Sequence, residues 1–297
     1  MPAINTNRLD LFTQTPCTVI TSTPQYTVQT PRGAVTTHHI IHATNGWTSH
    51  LLPGLRGKIF PLRGLMTAQR PGTGLPTPGT RAHIFYYTPG FDYLTQLPKR
   101  EPSCEGELLF GGGAVQGGRI ALSELGVSDD SAYNMAMASY IQGALPEFFG
   151  RANWGTEGVP NAPQADSPWA SGRVKALWTG IIGFSTDMQP WVGRVPSDVS
   201  GRAAPMPMPM PTHHPVTSAS PLENDAALQS LAAPGEWVSA GYSGEGMVHA
   251  WLCAHALALM LLELEEEQSV PTWFPDEFRL TKQRLKRATF ERLMDRF

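Results

Sequence analysis

Residues 236–262 constrain this chain more than any other stretch. Residues 236–240 read as a strand, Gly241-Tyr242-Ser243-Gly244-Glu245-Gly246 as a glycine turn, and residues 247–262 as an apolar helix. That helix carries His249 and His255 and is bounded by Glu245 and Glu263, so it is too short and too polar to span a bilayer and reads as buried. A strand, a glycine turn and a helix in that order suit several chemistries. A serine nucleophile needs glycine two residues before and two after it; Ser243 has Gly241 before but Glu245 after, which fails the pattern. A pyrophosphate loop needs G-x-G-x-x-G/A; Gly244-Glu245-Gly246-Met247-Val248-His249 misses the last glycine and places a carboxylate against the phosphates. The run 111–118, rich in glycine, follows a strand but opens no long helix, so both loops read as punctuation.

A third use fits the turn better. A helix N-terminus presents unpaired N–H groups and a positive dipole end. It suits an acceptor that gains negative charge, as the N1–C2=O edge of a flavin does on reduction. Glycines let backbone approach a flat ring closely. The other chemistry-bearing residues point nowhere so specific. His38 and His42 share a strand face but stand ~13 Å apart, too far to hold one metal. Cys17, Cys104 and Cys253 are too few and too scattered for a disulfide framework or a zinc site, which fits a reducing, cytoplasmic setting.

Composition narrows the class. The net charge is −3, which excludes a polybasic nucleic-acid or membrane-surface protein. A hydrophobic content of 41% is enough to bury a sizeable core. Only 16% of residues are charged, low for a free-standing domain, so some surface is expected to be covered. No apolar leader is visible near Met1.

Along the chain, residues 17–20 and 26–29 read as strands, and Pro31-Arg32-Gly33 as a hairpin turn into a β-rich run over 34–42. Further strands are expected at 58–69, 82–88, 91–97, 107–110 and 174–183. A helix is expected over 131–145, preceded by Asp129 and Asp130. Residues 151–172 read as a long loop. Within 196–235 the Pro-Met repeat of 205–211 predicts an extended or disordered insertion. Residues 280–297 read as a basic amphipathic helix with a solvated face.

The chain resembles the FAD-dependent oxidoreductases of the D-amino-acid-oxidase type, the group of glycine and sarcosine oxidases, and looks most like a fungal branch of it. Five stretches carry the likeness in the family's order: Thr15-Pro16-Cys17-Thr18-Val19-Ile20; Ile40-Ile41-His42-Ala43-Thr44-Asn45-Gly46-Trp47; Pro61-Leu62-Arg63-Gly64-Leu65; 183–193 with Thr186-Asp187 at its centre; and the turn 241–247. The resemblance implies an α+β fold: an incomplete FAD-domain portion from 1–55 and 173–264, a β-rich substrate domain over 56–172, and a helical tail over 265–297. It implies FAD as cofactor, held by Cys17, Ala43, Thr44, Asn45, Gly46, Trp47, Arg63, Gly64, Asp187, Gly241, Tyr242, Ser243, Gly244, Glu245, Gly246 and Met247. It implies oxidation of a small amine or amino acid by hydride transfer to flavin, with no nucleic-acid or membrane partner. No catalytic residue is assigned; Arg63 is a candidate to pair with a carboxylate, and Tyr86, Tyr87 and Tyr93 to line a pocket. The family's opening G-x-G-x-x-G unit and its ribose-binding acid have no counterpart in these 297 residues. The alternative reading is therefore an inactive, truncated paralogue or fragment without a cofactor of its own.

Overall fold

A computed structural model describes residues 9–75, 81–87, 90–100, 104–117, 123–157, 172–205, 232–262 and 272–294. The chain forms two compact units, Met1–Lys58 with Met188–Ala288, and Ile59–Asp187 with Thr289–Phe297.

The first unit contains two three-stranded sheets. β1 (Val19–Thr21), β2 (Tyr26–Thr30) and β3 (Gly33–Thr37) form an antiparallel meander. Its second turn is the expected one: Thr30 Oγ1 accepts from Arg32 N, and Gly33 takes the positive φ. The second sheet has the order β10-β11-β4, where β4 is His39–His42, β10 is Trp191–Val195 and β11 is Gly235–Ala240. β4 and β11 run parallel, with Glu236 opposite Ile40 and Val238 opposite His42. The β-rich run of 34–42 is thus not one strand. Thr37 Oγ1 accepts from His39 N and donates to His39 O, a local pairing that turns the chain from the meander into the second sheet.

Helix α1 is the short Thr48–Leu51, α2 to α4 are described below, and helix α5, Gly246–Leu262, covers the β10-β11 face. Its buried stripe, Cys253, Ala256, Leu257 and Met260, follows helical spacing and meets Val192 and Trp237. The opposite side is also apolar: Met247, Val248, Trp251 and Leu252 are exposed. Ile41, on the edge strand β4, is exposed too. These residues make the apolar, charge-poor surface that the composition foreshadowed.

Two expectations need correction. Residues 196–235 are not wholly extended: α4, Ser197–Ser200, is helical with Val199 and Ser200 buried. The Pro-Met repeat itself lies outside the described residues. The basic C-terminal stretch is two short helices, Lys282–Arg287 and Phe290–Met294, parted at Ala288, which takes extended backbone. Arg284 does not belong to a solvated face. It is buried, stacks 3.8 Å over Trp191 and donates to the carbonyls of Gln189 and Pro190.

α4 packs so closely that a single methyl group tests it. A Cβ on Gly54 would lie 2.6 Å from the Val199 Cα, an atom that cannot swing away. Gly54→Ala is expected to lower the melting temperature by about 3–8 °C, read by calorimetry. An unchanged value would show that α4 is not seated there.

The second unit is a five-stranded antiparallel sheet of order β6-β7-β8-β5-β9, with β5 Ile59–Gln69, β6 Ala82–Tyr87, β7 Gly90–Gln96, β8 Leu108–Gly111 and β9 Val174–Ser185. β9 therefore completes this sheet, although the sequence assigned it to the cofactor portion beginning at 173. It pairs with β5 along nearly its whole length, from Ile59↔Ser185 to Gln69↔Val174. One face is covered by α2, Met135–Phe149, through Leu65, Leu94, Leu108 and Phe110 against Met137, Ile141 and Leu145. α2 starts later than the sequence suggested, because Asn134 is the cap and accepts from Ala136 N and Met137 N, whereas Asp129 accepts only from Ser131 N. It runs past Pro146 to Phe149. The expected loop after it opens with a further helix, α3 (Arg151–Trp154), whose Trp154 is buried; residues 158–171 lie outside the described set.

Candidate functional site

The glycine turn and the loop after β4 meet in the first unit. Both leave the same end of parallel neighbours, β11 and β4, where ligands of α/β sheets collect. Asn45 joins them: its Oδ1 accepts from Gly241 N at 3.0 Å and from Tyr242 N at 3.3 Å. Asn45 stands at φ 41°, a conformation few residues other than Asn and Gly adopt readily. Its neighbours are set by a short 3₁₀ turn, Asn45–Trp47, with Gly46 buried, Trp47 and Ala43 exposed, and Thr44 Oγ1 2.9 Å from Thr48 Oγ1.

The turn itself is held open by backbone geometry. Gly241, Ser243 and Gly244 all have positive φ. Tyr242 is pinned by a 2.6 Å contact between its hydroxyl and Ser239 Oγ, and burial raises its phenol pKa. Glu245 is exposed and pairs with His249 at 3.1 Å on the first turn of α5. Above Gly244 and Gly246 there is room: an added Cβ at either would meet nothing within 4 Å. The N–H groups of Gly246 and Met247 have no acceptor among the described residues, and Met247 is fully exposed. The result is the N-terminus of a 17-residue helix facing open space across two glycines. A flat acceptor group with developing negative charge fits that arrangement.

Arg63, Gly64 and Asp187 belong to the second unit. Arg63 is engaged there: Nε donates to Glu124 at 2.7 Å, and Nη1 to the carbonyls of Asp129 and Ala132. This ion pair fastens the segment before α2, so the guanidinium is not a spare partner for a substrate carboxylate. Gly64 lies in mid-strand opposite Gly180. Asp187 accepts from Ser185 Oγ at 2.8 Å. Cys17, before β1, is half-buried; burial raises its thiol pKa, against the opposing charge of Arg202.

The tyrosines separate by role. Tyr86 is exposed, and Tyr93 lies against Gly111. Tyr87 donates to Asp92, a fully buried carboxylate that also accepts from Tyr140 at 2.6 Å and Gly113 N at 2.6 Å. Burial and the Asp92 charge push both phenols well above their usual range, so they serve as permanent donors. The glycine-rich run at 111–113 exists for this carboxylate: a Cβ on Gly112 would lie 2.0 Å from Asp92 Oδ1.

Sequence reasoning missed the most heavily charged feature of the first unit. Glu236, 1% exposed, accepts from His42 Nε2 at 2.7 Å and from Arg202 Nε and Nη2 at 2.9 and 2.6 Å. The signal was a lone glutamate heading an otherwise apolar strand. Among the described residues no group of three or more His, Cys, Asp or Glu converges as a metal site.

Comparison with known proteins agrees with this architecture. The sequence profile of the FAD dependent oxidoreductase family, DAO, matches residues 3–260. Glycine oxidase from Geobacillus kaustophilus superposes with a TM-score of 0.50 at 18% identity, over 92% of this chain and 53% of its own. Glycine oxidase from Bacillus cereus does so with a TM-score of 0.50 at 15% identity, over 86% of this chain and 51% of its own. The chain thus spans about half the length of these solved structures, and the likeness is one of fold. No curated protein matches the sequence. With the profile covering all but the two ends, the chain belongs to the DAO family of FAD dependent oxidoreductases.

Proposed function

We propose that the chain forms the flavin-facing part of an FAD-dependent oxidoreductase acting on a small amine or amino acid. The observation that carries this reading is the glycine turn: unpaired N–H groups at the start of α5, facing open space over Gly244 and Gly246. When bound, FAD supplies the two-electron acceptor for a hydride from the substrate C–H. The residues of this chain orient and polarise. Asn45 locks the two loops together, Gly244 and Gly246 admit the ring, and the Gly246 and Met247 N–H groups favour the reduced, more negative state. The edge of β4 and the exposed face of α5 are where a β-α-β unit with a pyrophosphate loop would complete the sheet. The three free cysteines support a reducing, cytoplasmic setting. None of the described helices is long and apolar enough to cross a membrane.

The test is anaerobic addition of glycine, sarcosine and proline to the FAD-loaded protein. Bleaching of the visible flavin band by one of them is the expected result. Bleaching by dithionite but by no amine would overturn the amine reading. The rival, a chain without a cofactor of its own, draws its support from the absence of G-x-G-x-x-G in these 297 residues. Failure of the chain to take up FAD at all would favour it.

A further inference from the structure

The far end of the same sheet carries a second feature. Gly235 begins β11, and roughly 17 Å of strand separates it from Ala240, where the glycine turn starts. Around Gly235 lies a cavity of about 480 Å³, lined among others by Tyr26, Arg194, Ser197, Ser200 and Arg202. Tyr26 is 2% exposed as a residue, but its hydroxyl, which makes no hydrogen bond among the described residues, is open to the cavity rather than buried. A hydroxyl so placed is free to donate to a group that enters the cavity. Burial and the Glu236 charge raise its pKa against the two arginines, so it stands there as a proton donor.

The arginines point to the same conclusion. Arg202 commits Nε and Nη2 to Glu236 and Nη2 also to the Leu51 carbonyl; Nη1 is left without an acceptor among the described residues. Glu236 offsets its charge and holds the guanidinium rigid. Arg194 has no carboxylate partner among the described residues. Its guanidinium lies 5.3 Å over the Trp237 ring, and Nη2 donates to the Pro234 carbonyl at 2.7 Å. Gly235 makes this posture possible, because a Cβ there would lie 2.8 Å from Arg194 Nη2. An exposed cation held over Trp237, a spare guanidinium edge and a phenol O–H without a protein partner therefore line one cavity, and all three are donors.

We propose that this cavity binds a small ligand through an oxyanion group, a phosphate or a carboxylate, received by Arg194, Arg202 and Tyr26. Its volume lies within the range of small-molecule sites and exceeds a bare phosphate, so the group belongs to a larger molecule. The site is at the opposite end of β11 from the flavin turn and does not depend on it.

The experiment is calorimetric titration of the 297-residue chain with inorganic phosphate and, separately, with succinate at constant ionic strength. One-site saturable binding of at least one probe is expected, and the stronger of the two identifies phosphate or carboxylate chemistry. Arg194→Met keeps the stem over Trp237 and should weaken that binding about tenfold or more. Tyr26→Phe removes only the unpartnered hydroxyl and should weaken it by roughly three- to tenfold without lowering the melting temperature. Absence of saturation by both probes overturns the proposal. So does binding that survives undiminished in both variants.

Discussion

Glu236→Ala is expected to cost about 3–5 kcal/mol of unfolding free energy, the largest stability loss of any single side-chain truncation proposed for this chain. The side chain is 1% exposed, and it receives His42 and the fork of Arg202. Since an ionised carboxylate only accepts, His42 Nε2 carries the proton in that 2.7 Å contact. Truncation would leave a largely buried guanidinium, 16% exposed, and a buried imidazole N–H without the acceptor they share. Glu236→Gln keeps the packing and one acceptor oxygen while turning an NH2 donor toward one of the partners, so it should lose less than Glu236→Ala but still be destabilised. A denaturation midpoint for Glu236→Ala within experimental error of wild type would mean the network is not formed.

The same group sets an acid limit. Burial alone would raise the Glu236 pKa, but the hydrogen bonds and charges of His42 and Arg202 outweigh it and hold the carboxyl below its ordinary value. A depressed folded pKa contributes stability that is fully present above the unfolded value, about 4.3, and is lost as pH falls through the folded one. Glu107 acts in the same direction in the second unit. Burial opposes its ionisation, yet the Cys104 thiol, Lys175 and backbone N–H groups bring its pKa down to about 2. Wild-type stability should therefore fall steadily below about pH 4.5, and the gap between wild type and Glu236→Gln should close over that window. A constant gap from pH 7 to pH 3 would contradict the assignment.

What the sequence made legible was local. The strand, glycine turn and helix over 236–262 needed only apolar runs and glycine spacing to be found. The strands of the second unit emerged from residues 58–110 within one or two positions. The limits came from interactions between distant residues. Nothing local marks where 34–42 passes from one sheet to another, since Thr37 does so by bonding to His39. Arg63 looked like a substrate cation because its partner, Glu124, lies 61 residues away. Arg284 sat in a basic stretch that imitates a solvated face, and only Trp191 reveals it as packed. Asn45 is the residue that ties the two site loops together, and its Oδ1 does so across 196 positions.

The flavin turn yields the second large effect. The 297-residue chain should purify colourless, because no pyrophosphate loop is among its residues, and should take up added FAD reversibly. Gly246→Val places a branched side chain in the space the ring needs. It should remain folded, since an added Cβ there meets nothing within 4 Å and Gly246, unlike Gly241 and Gly244, does not have a positive φ. The positive φ that favours glycine in this turn is confined to Gly241 and Gly244 among its glycines.

The measurement that decides the matter is fluorescence titration of FAD into wild type and Gly246→Val, with circular dichroism confirming equal folding. The wild-type chain should quench flavin fluorescence saturably, and the variant should lose that response about tenfold or more, as expected when a ring is denied contact with the helix terminus. Equal flavin uptake by the two proteins would contradict the assignment of the glycine turn to the cofactor.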